Sequence, residues 1–234
     1  MNVLAIIPAR GGSKGILDKN IQKLGKKPLI EYSISSAKKS KKINKILVST
    51  DSQKIVKIVE SLGINVPFLR PKRISKDSSQ LLDVIKHGLN YLKNENYVPE
   101  IICLLQPTSP FRSYDLIDKS IQMLKSSNAT SVVSVSKIKT HPDTLFSLKS
   151  DYLKPLNPNF EKFSNRQKRK ILYYPTGSIY TFWSRNISKF NSIYGPKIKL
   201  IETEEKFNVD IDYLFDLFIG EMILKNWEKY KKNH

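Results

Sequence analysis

The sequence predicts a Rossmann-like three-layer α/β/α sandwich, in which helices wrap a mostly parallel sheet that carries one inserted arm. Short apolar segments alternate with amphipathic segments of roughly ten to fifteen residues, the pattern of parallel strands joined by helices. The apolar segments stop at glycine, proline or polar residues, as buried strands do. We expect right-handed crossovers and a single domain over residues 1–234.

The first strand is predicted over residues 3–8, and the loop after it combines glycines with cations. The loop contains Arg10, Gly11, Gly12, Ser13, Lys14, Gly15, Lys19 and Asn20. Glycines let backbone N–H groups approach an anion, and the three cations can bind phosphate oxygens. We therefore predict a triphosphate-binding loop, against the alternative of an ordinary turn with solvated lysines. It matches neither the Walker pattern nor the dinucleotide fingerprint.

The remaining elements follow from periodicity and capping signals. An amphipathic helix is predicted over residues 28–39 and a second strand over residues 43–50. Asp51 or Ser52 would make a good N-cap for the next helix, which should end at Gly63. Further helices are predicted over residues 53–62, 81–92, 115–125 and 213–232, and further strands over residues 66–69, 101–105, 130–135, 173–183 and 197–201.

Residues 101–105 form the most apolar predicted strand, which we expect to be central. Two prolines end it and hold Gln106, Thr108 and Ser109 at its carboxyl end. Ligands of open α/β sheets bind at that edge, and loop residues placed by a rigid strand often bind them. A polar turn that caps the following helix would explain the same residues, so both interpretations stay open here.

Asp210 and Asp212 stand one residue apart in the segment FNVDID. In extended backbone both carboxylates share one face, where they repel each other unless a cation lies between them. Mg²⁺ suits such a pair, because it binds through one or two carboxylates and completes its shell with water and phosphates. The alternative is that Asp212 caps the last helix. We favour the metal site.

Composition limits the other possibilities. The net charge of +19, from 40 basic and 21 acidic residues, would suit nucleic-acid binding, but the lysines are scattered and we consider that partner unlikely. There is no apolar run of the roughly 18 residues that span a bilayer, no signal peptide is indicated, and Cys103 is the only cysteine. We expect a cytoplasmic protein without a membrane partner.

Five segments together resemble the acylneuraminate cytidylyltransferase family, the CMP-sialic acid synthetases, which includes enzymes for legionaminic and pseudaminic acids. They are ARGGSKGILDKN, RPKRISKD, LLQPTSPFR, YPTGSIY and NVDID, and they occur in the family's order across nearly the whole chain. The resemblance implies transfer of CMP from CTP to the anomeric hydroxyl of a nonulosonic acid, with release of pyrophosphate. A CMP-Kdo synthetase is the nearer alternative, and a nucleic-acid-binding module is the remote one.

The resemblance also implies roles for individual residues. Arg10 and Lys19 match catalytic positions, Lys19 at the α-phosphate, and Asp210 and Asp212 match the Mg²⁺ ligands. The nucleotide-binding positions are Arg10, Gly11, Ser13, Lys14, Lys19, Asn20, Arg70 and Asp77, with Arg70 near the cytosine. The sugar-binding positions are Gln106, Thr108, Ser109 and Arg166. Residues 137–170 resemble the family's dimerisation arm, so we expect a homodimer.

The chain departs from the sialic-acid pattern at several positions near the base or the sugar. Gln80, Leu81 and Leu82 follow Asp77 where small or hydroxyl residues are frequent. Tyr174 stands where an arginine can occur, and Thr176 replaces a frequent asparagine. These departures leave CTP as the expected nucleotide, but they make legionaminic acid a competitor of sialic acid as the sugar.

Overall fold

A computed structural model of the chain describes residues 1–163 and 170–233. Its centre is a six-stranded sheet with the strand order β10-β6-β9-β5-β1-β4. These strands are β1 (Val3–Pro8), β4 (Lys45–Ser49), β5 (Ile101–Leu104), β6 (Ser131–Lys137), β9 (Tyr173–Trp183) and β10 (Ile198–Glu202). Two small hairpins lie outside this sheet, made of β2 (Lys23–Leu24) with β3 (Lys27–Pro28) and of β7 (Phe146–Lys149) with β8 (Tyr152–Pro155).

The sheet is mostly parallel, as the sequence predicts. Strand β1 pairs in parallel with β4 on one side and with β5 on the other, and β10 pairs in parallel with β6. Only β9 runs against its neighbours, because it returns from the inserted arm and pairs antiparallel with both β5 and β6. The carboxyl ends of β1, β4 and β5 consequently lie side by side, and the loops that follow them meet at one edge.

Helices cover both faces of this sheet and bury its apolar side chains. They are α1 (Leu29–Lys39), α2 (Gln53–Ser61), α3 (Leu81–Asn94), α4 (Tyr114–Lys125), α5 (Arg185–Phe190) and α6 (Leu214–Asn233). Alternate residues of β1 point to opposite faces, so Ala5 and Ile7 join the cluster under α1, α2 and α4, while Leu4 and Ile6 join the cluster under α3. A fully buried β1 is thus the rigid base from which the glycine loop departs.

Two predictions from local signals are wrong. Residues 66–69 do not form a strand but make a single bridge, between Leu69 and Thr50. Pro67 has no N–H to donate to a ladder, which prevents a longer pairing. Ser52 does stand at the N-cap of α2, but neither it nor Asp51 caps the helix with its side chain. The Asp51 carboxylate turns instead toward the glycine loop, where it accepts a hydrogen bond from the Gly11 amide.

The described residues 138–163 lie outside the main sheet. Within them the β7–β8 hairpin turns at Ser150, and Phe146 packs on Phe160 with ring centroids 4.8 Å apart. Large apolar side chains of the hairpin remain open to solvent: Leu148 is 73% exposed, Tyr152 80% and Leu153 69%. Across residues 1–163 and 170–233, no helix has the length and apolar character needed to cross a membrane.

Candidate active site

A polar cleft opens where the carboxyl ends of β1, β4 and β5 meet. Its free volume is about 210 Å³. It is lined by Pro8, Arg10, Ser13, Lys19, Asn20, Arg70, Ile74, Lys76, Asp77, Ser79, Leu81, Val84, Gln106, Pro107 and Thr108. A shallower cavity of about 660 Å³ shares Arg10, Lys76 and Asp77 with it and extends past Gly11, Gly12 and Lys54. Most of the predicted site residues thus converge on one region.

The glycine loop has its shape because two of its positions favour glycine, one for its backbone conformation and one for lack of space. Gly12 has a φ of +63°, a conformation that L-residues rarely adopt. At Gly15 a Cβ atom would lie 2.3 Å from the backbone oxygen of Asp212, so only glycine allows the loop to approach that segment. The Asn20 amide then donates to the Arg10 carbonyl at 2.8 Å and ties the two ends of the loop together.

Each cation of the loop faces a carboxylate from another part of the chain. Arg10 and Lys14 both bind Asp77, with Lys14 Nζ 2.9 Å from Oδ2. Lys19 Nζ lies 2.5 Å from Oδ1 of Asp212. Because Lys19 is largely buried and Asp212 is half-exposed, this ion pair is shielded on the lysine side and open on the aspartate side. The loop therefore carries three cations, and the two carboxylates of Asp77 and Asp212 orient them but neutralise only part of their charge.

Asp210 and Asp212 flank Ile211, which is fully buried and fixes the segment. The Ile211 amide donates to the Thr108 carbonyl at 2.7 Å, so the acidic segment is tied to the loop after β5. Burial raises the pKa of the Asp210 carboxyl, a hydrogen bond with Thr108 opposes the shift, and the charge of Asp212 adds to it. The two carboxylates are thus close enough to repel each other.

The alternative that Asp212 caps the last helix is wrong. Asp216 performs that task, because its Oδ2 accepts from the backbone N–H groups of Asp212 and Tyr213 at 2.9 and 2.7 Å. This leaves the Asp212 side chain free to point at Lys19. A pair of hard oxygen donors with one cation already beside it fits Mg²⁺. The described residues contain no cluster of three or more His, Cys, Asp or Glu that could hold a metal without further ligands.

Arg70 is buried beside the cleft, with only 5% of its surface exposed. Nε donates to Ser75 Oγ at 3.1 Å, and Nη2 lies 3.6 Å from Oδ1 of Asp51 without a hydrogen-bond partner. Burial lowers the pKa of Arg70, and the carboxylate of Asp51 opposes that shift. Because Nη2 makes an ion pair but no hydrogen bond, it can still donate to an acceptor, and a ligand in the cleft can supply one.

The loop after β5 is held from behind by Arg112. Its guanidinium donates to the carbonyls of Gln106 and Ser178 and to the hydroxyl of Ser33. Burial lowers the pKa of Arg112 to about 9, which still leaves it charged at neutral pH. Gln106 and Thr108 consequently face the cleft, whereas Ser109 is fully buried and donates to the Thr176 carbonyl. The burial of Ser109 favours a supporting role over the sugar contact predicted for it.

Gly177 completes this side of the cleft. Its φ is +74°, and a Cβ atom there would lie 2.6 Å from Ser109 Oγ and 3.0 Å from Gln106 Oε1. The turn YPTG at the start of β9 therefore packs directly against the loop after β5. Thr176 donates from Oγ1 to Ser134 Oγ at 2.9 Å, so the residue that replaces a frequent asparagine is occupied within the fold.

One predicted site residue is not described by the structure, and several residues of the site were missed by the sequence analysis. Arg166, the predicted contact to the sugar carboxylate, lies outside the described residues. Asp51 was missed because a cap was the simpler local explanation. The apolar wall of the cleft, formed by Ile74, Leu81 and Val84, was missed because apolar residues at the start of a helix normally signal core.

A cationic loop, a carboxylate pair and an apolar wall at the carboxyl edge of a mostly parallel sheet define an α/β protein of the nucleotide-handling class. The chain belongs to the cytidylyltransferase family, whose model matches residues 4–228, and it is a nucleotidyltransferase enzyme. Both the resemblance stated from the five sequence motifs and the predicted fold class are thereby confirmed.

Three relatives illustrate the similarity. The CMP-N,N'-diacetyllegionaminic acid synthase of Legionella pneumophila is 33% identical over 229 residues, which are 96% of this chain and 97% of that protein. The N-acylneuraminate cytidylyltransferase of Streptococcus agalactiae is 31% identical; the match covers 100% of this chain but only 56% of that longer protein. The pseudaminic acid cytidylyltransferase of Campylobacter jejuni is 26% identical, over 100% of this chain and 98% of its own.

Solved structures agree on the fold. A CMP:2-keto-3-deoxy-manno-octonic acid synthetase in complex with CTP superposes with a TM-score of 0.70 at 16% identity, covering 97% of this chain and all of that one. A 4-diphosphocytidyl-2C-methyl-D-erythritol synthase superposes with a TM-score of 0.68 at 14% identity, over 95% and 98% of the two chains. At such identities the likeness establishes the architecture alone.

Proposed function

We propose that this protein transfers CMP from CTP to the anomeric hydroxyl of a nonulosonic acid, giving a CMP-sugar and pyrophosphate. The proposal depends on one observation: Lys19 of the glycine loop makes an ion pair with Asp212 and lines the same cleft as the buried guanidinium of Arg70. The names of the three relatives support the substrate class.

The nucleotide would occupy the cleft between the glycine loop and α3. Arg10, Lys14 and Lys19 supply charge for the phosphates, and Ser13, Asn20 and the Gly11 segment complete the loop around them. The apolar wall of Ile74, Leu81 and Val84 suits the flat face of a base. The Nη2 group of Arg70, which is ion-paired with Asp51 but makes no hydrogen bond, suits an acceptor on the base edge, and cytosine presents its O2 and N3 there.

In the reaction the sugar hydroxyl attacks the α-phosphorus and gives its proton to water, while the bond from that phosphorus to the bridging oxygen of the β-phosphate breaks and pyrophosphate leaves. Negative charge grows on the α-phosphate oxygens and on the departing pyrophosphate. We assign Lys19 to the α-phosphate, because its ammonium is fixed by Asp212 and shielded from solvent. A preorganised cation in a partly dry site stabilises such charge without reorganising first. Arg10 acts on the pyrophosphate side.

Asp210 and Asp212 would hold Mg²⁺. Burial chiefly, and the charge of Asp212 in addition, raise the pKa of the Asp210 carboxyl, so the pair favours a cation between them; Lys19 already offsets part of the charge of Asp212. When bound, the ion would neutralise phosphate charge and orient the phosphates between the loop and the acidic segment. Tethering of Ile211 to Thr108 keeps the acidic segment next to the loop that faces the sugar.

The acceptor would bind beside Gln106 and Thr108, with Ser109 and Gly177 behind them. Arg166 remains the proposed partner of the sugar carboxylate. The legionaminic acid enzyme shares 33% identity with this chain over nearly its full length. The departures from the sialic-acid pattern at Leu81, Tyr174 and Thr176 make a legionaminic-type acid the first acceptor to test.

We further propose a homodimer assembled through the arm. The exposed side chains of Leu148 and Leu153, which pair across the two-stranded hairpin, form an apolar surface on one of its faces, which a partner subunit would cover. The proposed location is the cytoplasm, where CTP is made.

An isotope experiment tests the chemistry directly. A nonulosonic acid labelled with ¹⁸O at its anomeric hydroxyl is incubated with CTP and Mg²⁺, and the products are weighed by mass spectrometry. The proposal requires the label in the CMP-sugar and not in pyrophosphate. A CMP-sugar without the label, label in pyrophosphate, or free CMP in place of the CMP-sugar would contradict it.

A further inference from the structure

Asp77 binds two cations of the glycine loop at once. One carboxylate oxygen accepts from the Arg10 guanidinium, and the other lies 2.9 Å from the Lys14 ammonium. A phosphate group would bind the same two cations in the same way, with one oxygen on each. Asp77 therefore occupies the cations that a polyphosphate needs.

The position of Asp77 is built into the segment that carries it. The turn over residues 76–79 is closed by two hydrogen bonds between Lys76 and Ser79, at 2.9 and 3.0 Å. The turn follows Ser75, whose hydroxyl accepts from Arg70 Nε at 3.1 Å and donates to the Pro71 carbonyl at 3.0 Å. The same hydrogen bonds that fix Arg70 thus present Asp77 to the glycine loop.

The Asp77 side chain is nevertheless able to leave. It is 37% exposed and Lys14 is 82% exposed, so water can replace either partner. The hydrogen bond from Lys14 lowers the pKa of Asp77, and the nearby charge of Arg10 lowers it further. The carboxylate therefore stays ionised at neutral pH. Ion pairs this exposed are weak enough to be exchanged for a stronger anion.

We propose that Asp77 is an internal counter-ion that competes with phosphates for Arg10 and Lys14, and so limits the affinity of the cleft for pyrophosphate and aids its departure. This inference rests on the proposed function, because it assigns the two cations to the phosphates of that reaction. A triphosphate displaces Asp77 on entry. When pyrophosphate leaves, Asp77 takes the cations back, which shortens the time that the charged product stays bound.

The chain offers a matched control. Asp18 is another carboxylate at the rim of the cleft, 3.0 Å from the Lys54 ammonium, and it pairs with neither Arg10 nor Lys14. Its φ of +52° is tolerated by asparagine, so Asp18→Asn keeps the backbone while it removes the same charge. A comparison of Asp77→Asn with Asp18→Asn separates local competition from a general change in net charge.

The test titrates inorganic pyrophosphate into the full chain and both variants by calorimetry at fixed ionic strength. Loss of a competing exposed ion pair should tighten pyrophosphate binding by Asp77→Asn roughly three- to tenfold. Asp18→Asn should change it less than about twofold, because only screened long-range charge is removed. In turnover assays, the same Asp77 variant should be inhibited by pyrophosphate at correspondingly lower concentration.

Several results would overturn the inference: unchanged or weaker pyrophosphate binding by Asp77→Asn, equal tightening by Asp18→Asn, or no pyrophosphate binding by any of the three proteins. Failure of the proposed function looks different. In that case the calorimetric difference between the variants persists, while CTP and nonulosonic acids yield no CMP-sugar.

Discussion

The ammonium of Lys19 lies 2.5 Å from Oδ1 of Asp212, although 193 residues separate the two along the chain. This contact joins the loop after the first strand to the segment before the last helix, and Gly15 makes room for it by lacking a Cβ. The proposed reaction takes place at this junction of phosphate-binding loop and acidic pair.

Replacement of Lys19 by methionine should lower kcat roughly 100- to 1000-fold with a much smaller change in the KM for CTP, because the charge that Lys19 meets grows in the transition state. Steady-state kinetics measure both constants. Lys27→Met is the control, since Lys27 pairs with Glu31 in a separate i,i+4 contact. A rise in KM alone would make Lys19 a binding residue only.

Replacement of Asp212 should affect turnover, whereas replacement of Asp216 should affect stability. Asp212→Asn is expected to reduce Mg²⁺-dependent turnover at least roughly 100-fold and to weaken Mn²⁺ binding in the presence of CTP, as measured by electron paramagnetic resonance. Asp216→Ala should instead cost about 1 kcal/mol of unfolding free energy through loss of the cap. Full activity of Asp212→Asn would remove the metal assignment.

Arg70→Met should weaken CTP binding roughly tenfold and leave pyrophosphate binding unchanged, because the side chain is assigned to the base and not to the phosphates. Calorimetry with both ligands measures this. Arg73→Met in the same segment is the control, since that side chain is exposed. Equal loss of both ligands would indicate that the segment collapses when Arg70 is removed.

Burial raises the pKa of the Cys103 thiol from 9.0 to about 12. The folded state keeps a proton that the unfolded chain releases above pH 9, so this contribution to stability is complete below pH 9 and declines as the pH rises toward 12. When the pH is raised from 8 to 10, the free energy of unfolding measured in urea should fall by about 1 kcal/mol more for the wild type than for Cys103→Ala. Equal losses in both proteins would show that the thiol is not shielded.

Leu153→Glu should convert the proposed dimer to a monomer, because it places a charge in the apolar surface of the β7–β8 hairpin. Analytical ultracentrifugation measures the mass. Lys154→Glu on the adjacent residue, which points to the opposite face of the strand, should leave the assembly unchanged. A wild-type monomer at all concentrations, or a dimer of Leu153→Glu, would contradict the assignment of the arm.

The sheet and the helices could be predicted from the sequence because their signals are local. Buried strands such as β1 are almost wholly apolar, and α1 and α3 repeat apolar residues at helical spacing. The antiparallel direction of β9 could not be predicted, since it depends on where the arm returns the chain. Residues 66–69 carry a strand-like composition, but the missing N–H of Pro67 limits them to one bridge.

The site was predictable where one segment carries several polar residues and not where partners are distant in sequence. The cations of the glycine loop and the acidic pair are visible as motifs. Asp51 was assigned to a helix cap because capping needs only its neighbours, whereas its real partners are Gly11 and Arg70. Leu81 follows a helix-core pattern, and only the folded chain shows that it lines the cleft.

The most direct test of the account is pyrophosphate release from CTP and Mg²⁺ with a panel of legionaminic, sialic, pseudaminic and Kdo acids, with Lys19→Met as the blank. We expect pyrophosphate release with one nine-carbon acid, a legionaminic-type acid being the first to test, and almost none from Lys19→Met. Release with Kdo alone, or equal release from wild type and Lys19→Met, would contradict it.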